Sequence, residues 1–128
     1  MNLLLDTHVF LWYVTGDARL PGSWVDVLRD SSNAVYLSVI SVWEASIKYQ
    51  LGKLPLPAPP ETYLPRQRDL HGIASLGLTE TAVSRLGSLP PLHRDPFDRM
   101  LVCQTLDSGL ILATTDDAVR RYPVHTLK

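Results

Sequence analysis

The chain has little cysteine, little lysine and no long apolar run, and each shortage excludes something. The single cysteine, Cys103, rules out an internal disulfide and suits a reducing compartment. Alone, it reads as a small core residue. Its isolation also removes thiolate metal chemistry. His8, His71, His93 and His125 fall at no zinc-ligand spacing. No apolar stretch reaches the length of a membrane span. The N-terminus lacks the basic segment of a signal peptide and its apolar run ends too soon, so a cytoplasmic protein with no membrane partner is expected. A net charge of -1 argues against a constitutively basic nucleic-acid binder. It leaves open a locally basic or metal-bridged site, because net charge averages over faces. There are no internal repeats and no low-complexity tail. The 128 residues predict one domain, 1–128, able to bury a core without staples.

What is present is an alternation of short apolar runs and helical patterns. Leu3-Leu4-Leu5 reads as a buried strand ending at Asp6. Ala34 to Val39, Gly72 to Leu76 and Leu110 to Thr114 read as three more, with Val124 to Leu127 as a possible edge strand. Helices are expected over Val9–Val14, from Pro21 through Leu28, from Ser41 to near Gly52, over Glu61–Leu70, from Thr79, from Pro96 to Gly109, and briefly after Thr115. Ser41 with Glu44 three residues on fits a capping box. Asp95 before Pro96 fits an N-cap followed by proline at the first helical position. Leu54 to Pro60 carries four prolines and is a stiff extended connector, since proline removes a donor and clashes with the preceding turn. Alternating elements imply an α/β fold, a three-layer α/β/α sandwich with a short, mostly parallel sheet.

In such a sheet, strand ends and the starts of the following helices share one edge, where ligands bind. Asp6 follows the first strand, Glu44 opens the helix after the second, and Asp116 follows the last. Asp98 lies in the first turn of the helix before that strand, and its face continues through Leu101, Val102 and Thr105. That face is otherwise apolar or small, so Asp98 should point inward and need a cation, a protonated neighbour or an arginine. Each acid has a local alternative as a helix cap or turn residue. Those alternatives do not account for the convergence. Crowded carboxylates raise one another's pKa unless cations neutralise them, and oxygen donors favour Mg²⁺ or Mn²⁺ over zinc. Such a site retains water and takes phosphate oxygens, which points to phosphodiester hydrolysis.

Leu5-Asp6-Thr7-His8, Ser41-x-x-Glu44, His93-Arg94-Asp95-Pro96-Phe97-Asp98-Arg99 and Thr114-Thr115-Asp116 together resemble the PIN-domain ribonucleases, specifically the VapC toxins of type II toxin–antitoxin modules. The resemblance spans essentially the whole chain in order. It implies a Mg²⁺- or Mn²⁺-dependent endoribonuclease acting on RNA, a homodimer, and a cognate antitoxin whose segment packs over the active-site groove. It carries the catalytic acids onto Asp6, Glu44, Asp98 and Asp116, with Asp95 an additional acid of the Asp-Pro-Phe-Asp-Arg subgroup. On this reading Asp6 and Asp98 bind the principal ion, Asp95 and Asp116 join the metal set, and Glu44 and Asp116 act through water or a second ion.

Around the acids, Arg94 and Arg99 are candidate phosphate contacts, although Arg99 is equally suited to pair with Asp95. Thr7, Ser41 and Thr114 are candidate supports, Thr7 also a substrate contact. Trp12, Tyr13, Trp24 and Trp43 fit core or interface packing better than base stacking. Lys48, Lys53, Arg66 and Arg68 read as scattered surface charge, able to form at most a weak basic rim. The competing class is a metal-binding module that cuts nothing, receiver-like or an inactive PIN-like domain. A receiver wants a lysine after a late strand, and Lys48, Lys53 and Lys128 are not there. A haloacid-dehalogenase-like phosphatase wants a second Asp where His8 stands.

Overall fold

A computed structural model describes residues 1–128. Four parallel strands lie in the order β3-β2-β1-β4, with β1 (Asn2–Leu5), β2 (Ala34–Ser38), β3 (Ala74–Leu76) and β4 (Ile111–Ala113). β1 is central. Leu3 and Leu4 face Val35 and Tyr36 on one side and Ile111 and Leu112 on the other. Leu3, Leu4 and Leu5 are fully buried because the pleat sends them alternately into two cores. Leu3 and Leu5 join Phe10, Trp24, Leu28 and Leu64 on one face; Leu4 joins Leu101, Val102, Cys103 and Val119 on the other. This is the three-layer arrangement, and it explains why β1 is a continuous apolar run rather than an alternating one.

The helices are α1 (Thr7–Thr15), α2 (Gly22–Arg29), α3 (Val39–Gln50), α4 (Pro60–Leu70), α5 (Glu80–Ser84), α6 (Pro96–Ser108) and α7 (Asp117–Arg120), with a short 3-10 turn over Arg85–Ser88. Their starts are written in side chains. Asp6 caps α1 by accepting from the His8 amide, Ser38 caps α3 through Ile40, Asp95 caps α6 through Phe97 and Asp98, and Asp116 caps α7 through Ala118 and Val119. α6 stops at Gly109, whose φ of 63° is a left-handed conformation that a side chain would strain.

Several boundaries shift by a residue or two, and three differences from the sequence reading change an assignment. α3 begins at Val39, capped by Ser38, so Ser41 and Glu44 form no capping box. The turn closes two residues earlier because Ser38 ends β2 with an oxygen already in range of the Ile40 amide, at 3.0 Å. β3 shrinks to Ala74–Leu76 at the sheet edge. The stretch from Val124 forms no strand, only one parallel bridge between Leu112 and Thr126. That segment is held instead by Arg120, which donates to the carbonyls of Thr114 and Leu127, and by the Trp24 indole, which donates to the Lys128 carbonyl. Leu54 and Leu56 of the proline-rich connector pack against the first core.

Removing atoms from β1 should be felt at once. Leu4→Ala is expected to cost about 2–5 kcal/mol of unfolding free energy, read as a lowered urea midpoint at unchanged slope.

Candidate active site

At the C-terminal edge of the sheet, an open cleft of about 380 Å³ is lined by Asp6, Glu44, Asp95, Asp98 and Asp116, together with His8, Trp12, Lys48, His93 and Thr115. Asp6 is delivered by β1, Glu44 by α3, Asp95 and Asp98 by the cap and first turn of α6, and Asp116 by the turn after β4. Five acids from four segments thus meet where parallel strands end. The α6 face continues inward as expected: Leu101, Val102 and Thr105 are buried beneath Asp98.

Each carboxylate is held by specific donors. Asp6 Oδ1 accepts from the His8 amide at 2.9 Å, and its Oδ2 accepts from Thr114 Oγ1 at 2.8 Å. The Thr114 hydroxyl in turn accepts from the Asp116 amide at 3.1 Å. One buried threonine therefore ties the first acid to the backbone of the last. Glu44 is 2% exposed although its helix lies on the surface. Thr7 Oγ1 is 2.8 Å from both Ser41 Oγ and Glu44 Oε1. A hydroxyl has one hydrogen, so Ser41 donates to Thr7 and Thr7 donates to Glu44. The other Glu44 oxygen accepts from Lys48, one helical turn on. Asp95 and Asp116 each accept their two cap amides at Oδ1.

Asp98 has the least support. Its carboxyl is pushed up to about 8, first by burial and then by the charges of Asp6, Asp95, Glu44 and Asp116. Burial also raises Asp6, against the Thr114 and His8 hydrogen bonds that hold it down. Burial would pull the Lys48 ammonium down, but Glu44, with Asp95 and Asp98 beyond it, carries it above the usual lysine value.

His93 lies 3.1 Å from Asp98 Oδ2 and 3.4 Å from Asp116 Oδ2 through Nε2. The ligand atoms of these three residues lie within 4.8 Å of one another, the spacing of a metal site. The Asp95 amide fixes what His93 can do. It donates to Nδ1 at 3.1 Å, so the neutral ring carries its hydrogen on Nε2 and offers a donor to the carboxylates. The atoms left to face a cation are then carboxylate oxygens, a donor type that suits hard divalent ions, and burial and the neighbouring acids have raised Asp98 among them.

The other residues singled out in the sequence lie as follows. Thr7 is buried and committed to Glu44. Arg94 is exposed and Arg99 half-buried; neither lines the cleft. Arg99 forms no ion pair with Asp95, and its Nε meets no acceptor. Trp24 is core. Trp12 packs on the core, lines the cleft and carries the Arg19 guanidinium over its ring at 5.2 Å. Trp43 is 57% exposed and meets Phe97 edge-on at 5.0 Å. His8, Trp12, Lys48, His93 and Thr115 line the cleft although the sequence reading puts none of them in the site; of these, Lys48 bonds to Glu44 and His93 meets Asp98 and Asp116. The signals were slight: His93 is two residues before the Asp95 cap, and Lys48 is four after Glu44 on one helical face.

Comparison with known proteins gives the family and the fold. The PIN domain family model matches residues 3–124. The chain belongs to the PIN-domain family. Ribonuclease VapC16 of Mycobacterium tuberculosis is 36% identical over 103 residues, covering 79% of this PIN domain and 67% of that relative. Among solved structures, VapBC2 from Rickettsia felis, bound to a DNA fragment from its promoter, matches with a TM-score of 0.72 at 16% identity. It covers 100% of this chain and 98% of the other. FitAcB from Neisseria gonorrhoeae matches at a TM-score of 0.56 and 19% identity, over 98% of this PIN domain and 96% of its counterpart. At those identities the two structures speak for the fold.

Metal-free protein should lose stability as pH rises. Asp98 holds its proton to about pH 8 when folded and releases it near 3.8 when unfolded. Between those values the folded state binds the extra proton, so unfolding free energy falls with pH. A thermal melt in EDTA should show the midpoint dropping from about pH 5 to about pH 8. Asp98→Asn should flatten that slope, and Mg²⁺ should raise the midpoint most at the alkaline end. A melt that rises with pH in EDTA contradicts this assignment.

Proposed function

We propose that this PIN domain is a divalent-metal-dependent endoribonuclease that hydrolyses RNA phosphodiester bonds, acting as the toxin of a type II toxin–antitoxin module. The observation that carries the reading is the convergence of Asp6, Glu44, Asp95, Asp98 and Asp116 on one cleft, with Asp98 raised to about 8 by burial and then by its acidic neighbours. The relative named Ribonuclease VapC16, 36% identical to this chain, supports it.

A hard cation, Mg²⁺ or Mn²⁺, held by Asp6, Asp95, Asp98 and Asp116 would supply charge neutralisation and an activated water for attack at phosphorus. The chain's own residues do the positioning. Thr114 holds Asp6 and the Asp116 amide in one register, so two acids from different strands move together. Thr7 and Ser41 orient Glu44, which on this reading would take a hydrogen from the attacking water. His93 keeps its Nε2–H directed at Asp98 and Asp116. The partners follow from the same reading: RNA as substrate, a cognate antitoxin over the groove, and a second copy in a homodimer. The exposed Trp43, backed edge-on by the half-buried Phe97, lies on a segment that also carries Glu44 and offers the antitoxin an apolar ledge.

Purified protein incubated with structured RNA and Mg²⁺ or Mn²⁺ should cut it, and EDTA or Asp6→Asn should stop the cutting. Absence of cleavage with either metal, or equal cleavage by Asp6→Asn, sinks the enzyme reading in favour of a binding module. In cells, expression should arrest growth, and Asp98→Ala at equal protein level should relieve the arrest.

A further inference from the structure

We propose that Lys48 is the phosphate-contacting cation of the cleft; the proposal rests on the ribonuclease reading above. Of the ten residues lining the cleft, Lys48 is the one lysine or arginine. The arginines that flank the acids in sequence do not line it: Arg94 is exposed elsewhere and Arg99 sits half-buried on α6. A polyanion approaching five carboxylates meets repulsion from all of them. The metal set answers the charge of the acids, and a further cation is needed for the phosphates of the strand itself.

Lys48 is built for that second task as well as for holding Glu44. It stands one turn after Glu44 on α3, so the helix keeps its ammonium at the mouth of the same cleft. An ammonium has three hydrogens to donate, and its hydrogen bond in the protein is to Glu44. Its side chain remains 30% exposed while that of Glu44 is 2% exposed. The pair therefore has a dry end and a wet end, and the wet end is the cation. Glu44 also has Thr7 as a donor, so it does not depend on Lys48 alone for its orientation. A simple surface ion pair at this spacing would leave both partners solvated and contribute little.

The two roles predict different salt behaviour. Cleavage of a fluorogenic pool of randomised single-stranded oligoribonucleotides, with Mg²⁺ or Mn²⁺ across a salt series, gives the slope of log(kcat/KM) against log[salt]. Losing one phosphate contact should reduce the magnitude of that slope by about 0.7. Lys48→Met should show this reduction and a KM raised about tenfold, the loss of one charge-assisted bond. Lys48→Arg should keep the wild-type slope. Arg94→Gln should leave the slope unchanged. The rise in melting temperature on adding metal should persist in Lys48→Met, because the metal set is intact. If that variant melts far below wild type, Lys48→Gln, which can still donate to Glu44, carries the same measurement. A wild-type slope in Lys48→Met or Lys48→Gln, or loss of the metal-induced stabilisation with the slope unchanged, overturns the phosphate role and leaves the ribonuclease reading standing. Wild-type protein that cuts no RNA with either metal overturns that reading, and this proposal with it.

Discussion

Carboxylates crowded into a half-dry cleft repel one another, and the architecture around this one is an answer to that repulsion. Asp6 has a hydroxyl and an amide, Glu44 a hydroxyl and an ammonium, Asp95 and Asp116 a pair of helix amides each. These donors lower the cost of an ionised group by direct hydrogen bonding. Asp98 faces only the edge of His93, and its proton affinity rises furthest. The unequal provision has a physical consequence. A carboxylate already bonded to donors attracts a cation less strongly than one without them. Charge left uncompensated at one carboxyl gives a divalent ion a defined place of strongest attraction.

The fold supplies the rigidity that this demands. Parallel strands deliver Asp6 and the Thr114–Asp116 turn from adjacent positions, with Leu5 paired to Ala113 just below them. Thr114 then donates to one acid and accepts from the other's amide, so the spacing of the two is set by strand register rather than by loop conformation. On the carbonyl side, Thr114 is gripped by Arg120, which also holds Leu127. The C-terminal segment, without being a strand, thereby braces the site.

Much of this was legible in the chain itself. Leu3-Leu4-Leu5-Asp6 reads directly as a buried strand ending in an acid, and topology alone gathers Asp6, Glu44 and Asp116 on one edge. Asp98 is recoverable from helical spacing, because Leu101, Val102 and Thr105 beneath it announce an inward face. What escaped depends on distances between segments far apart in sequence. Ser41 looks like a cap from its local pattern; its hydroxyl is buried and faces Thr7 across 34 positions. Lys48 looks like scattered surface charge until the cleft is drawn around it. His93 belongs to the site because the loop before α6 folds back, with its amide donating to the Tyr122 hydroxyl. No local pattern encodes that return.

His93 also shows how one backbone hydrogen can decide the chemistry of a site. By proximity it completes a three-residue ligand cluster with Asp98 and Asp116. An imidazole nitrogen binds a metal through its lone pair, and here the lone pair belongs to Nδ1, already facing the Asp95 amide. Nε2 carries the hydrogen and can only donate. To coordinate through Nε2 the ring would have to move its proton to Nδ1 and set N–H against N–H, forfeiting the bond to the Asp95 amide. That amide belongs to the residue whose side chain caps α6, so its direction follows from the same turn that starts the helix carrying Asp98. The helix cap thus does two things: it orients Asp98, and it fixes the neighbouring histidine as a donor, keeping nitrogen out of a site whose remaining donors are oxygens. That the oxygens alone are left to face a cation then follows from a backbone N–H, not from the absence of a nearby nitrogen.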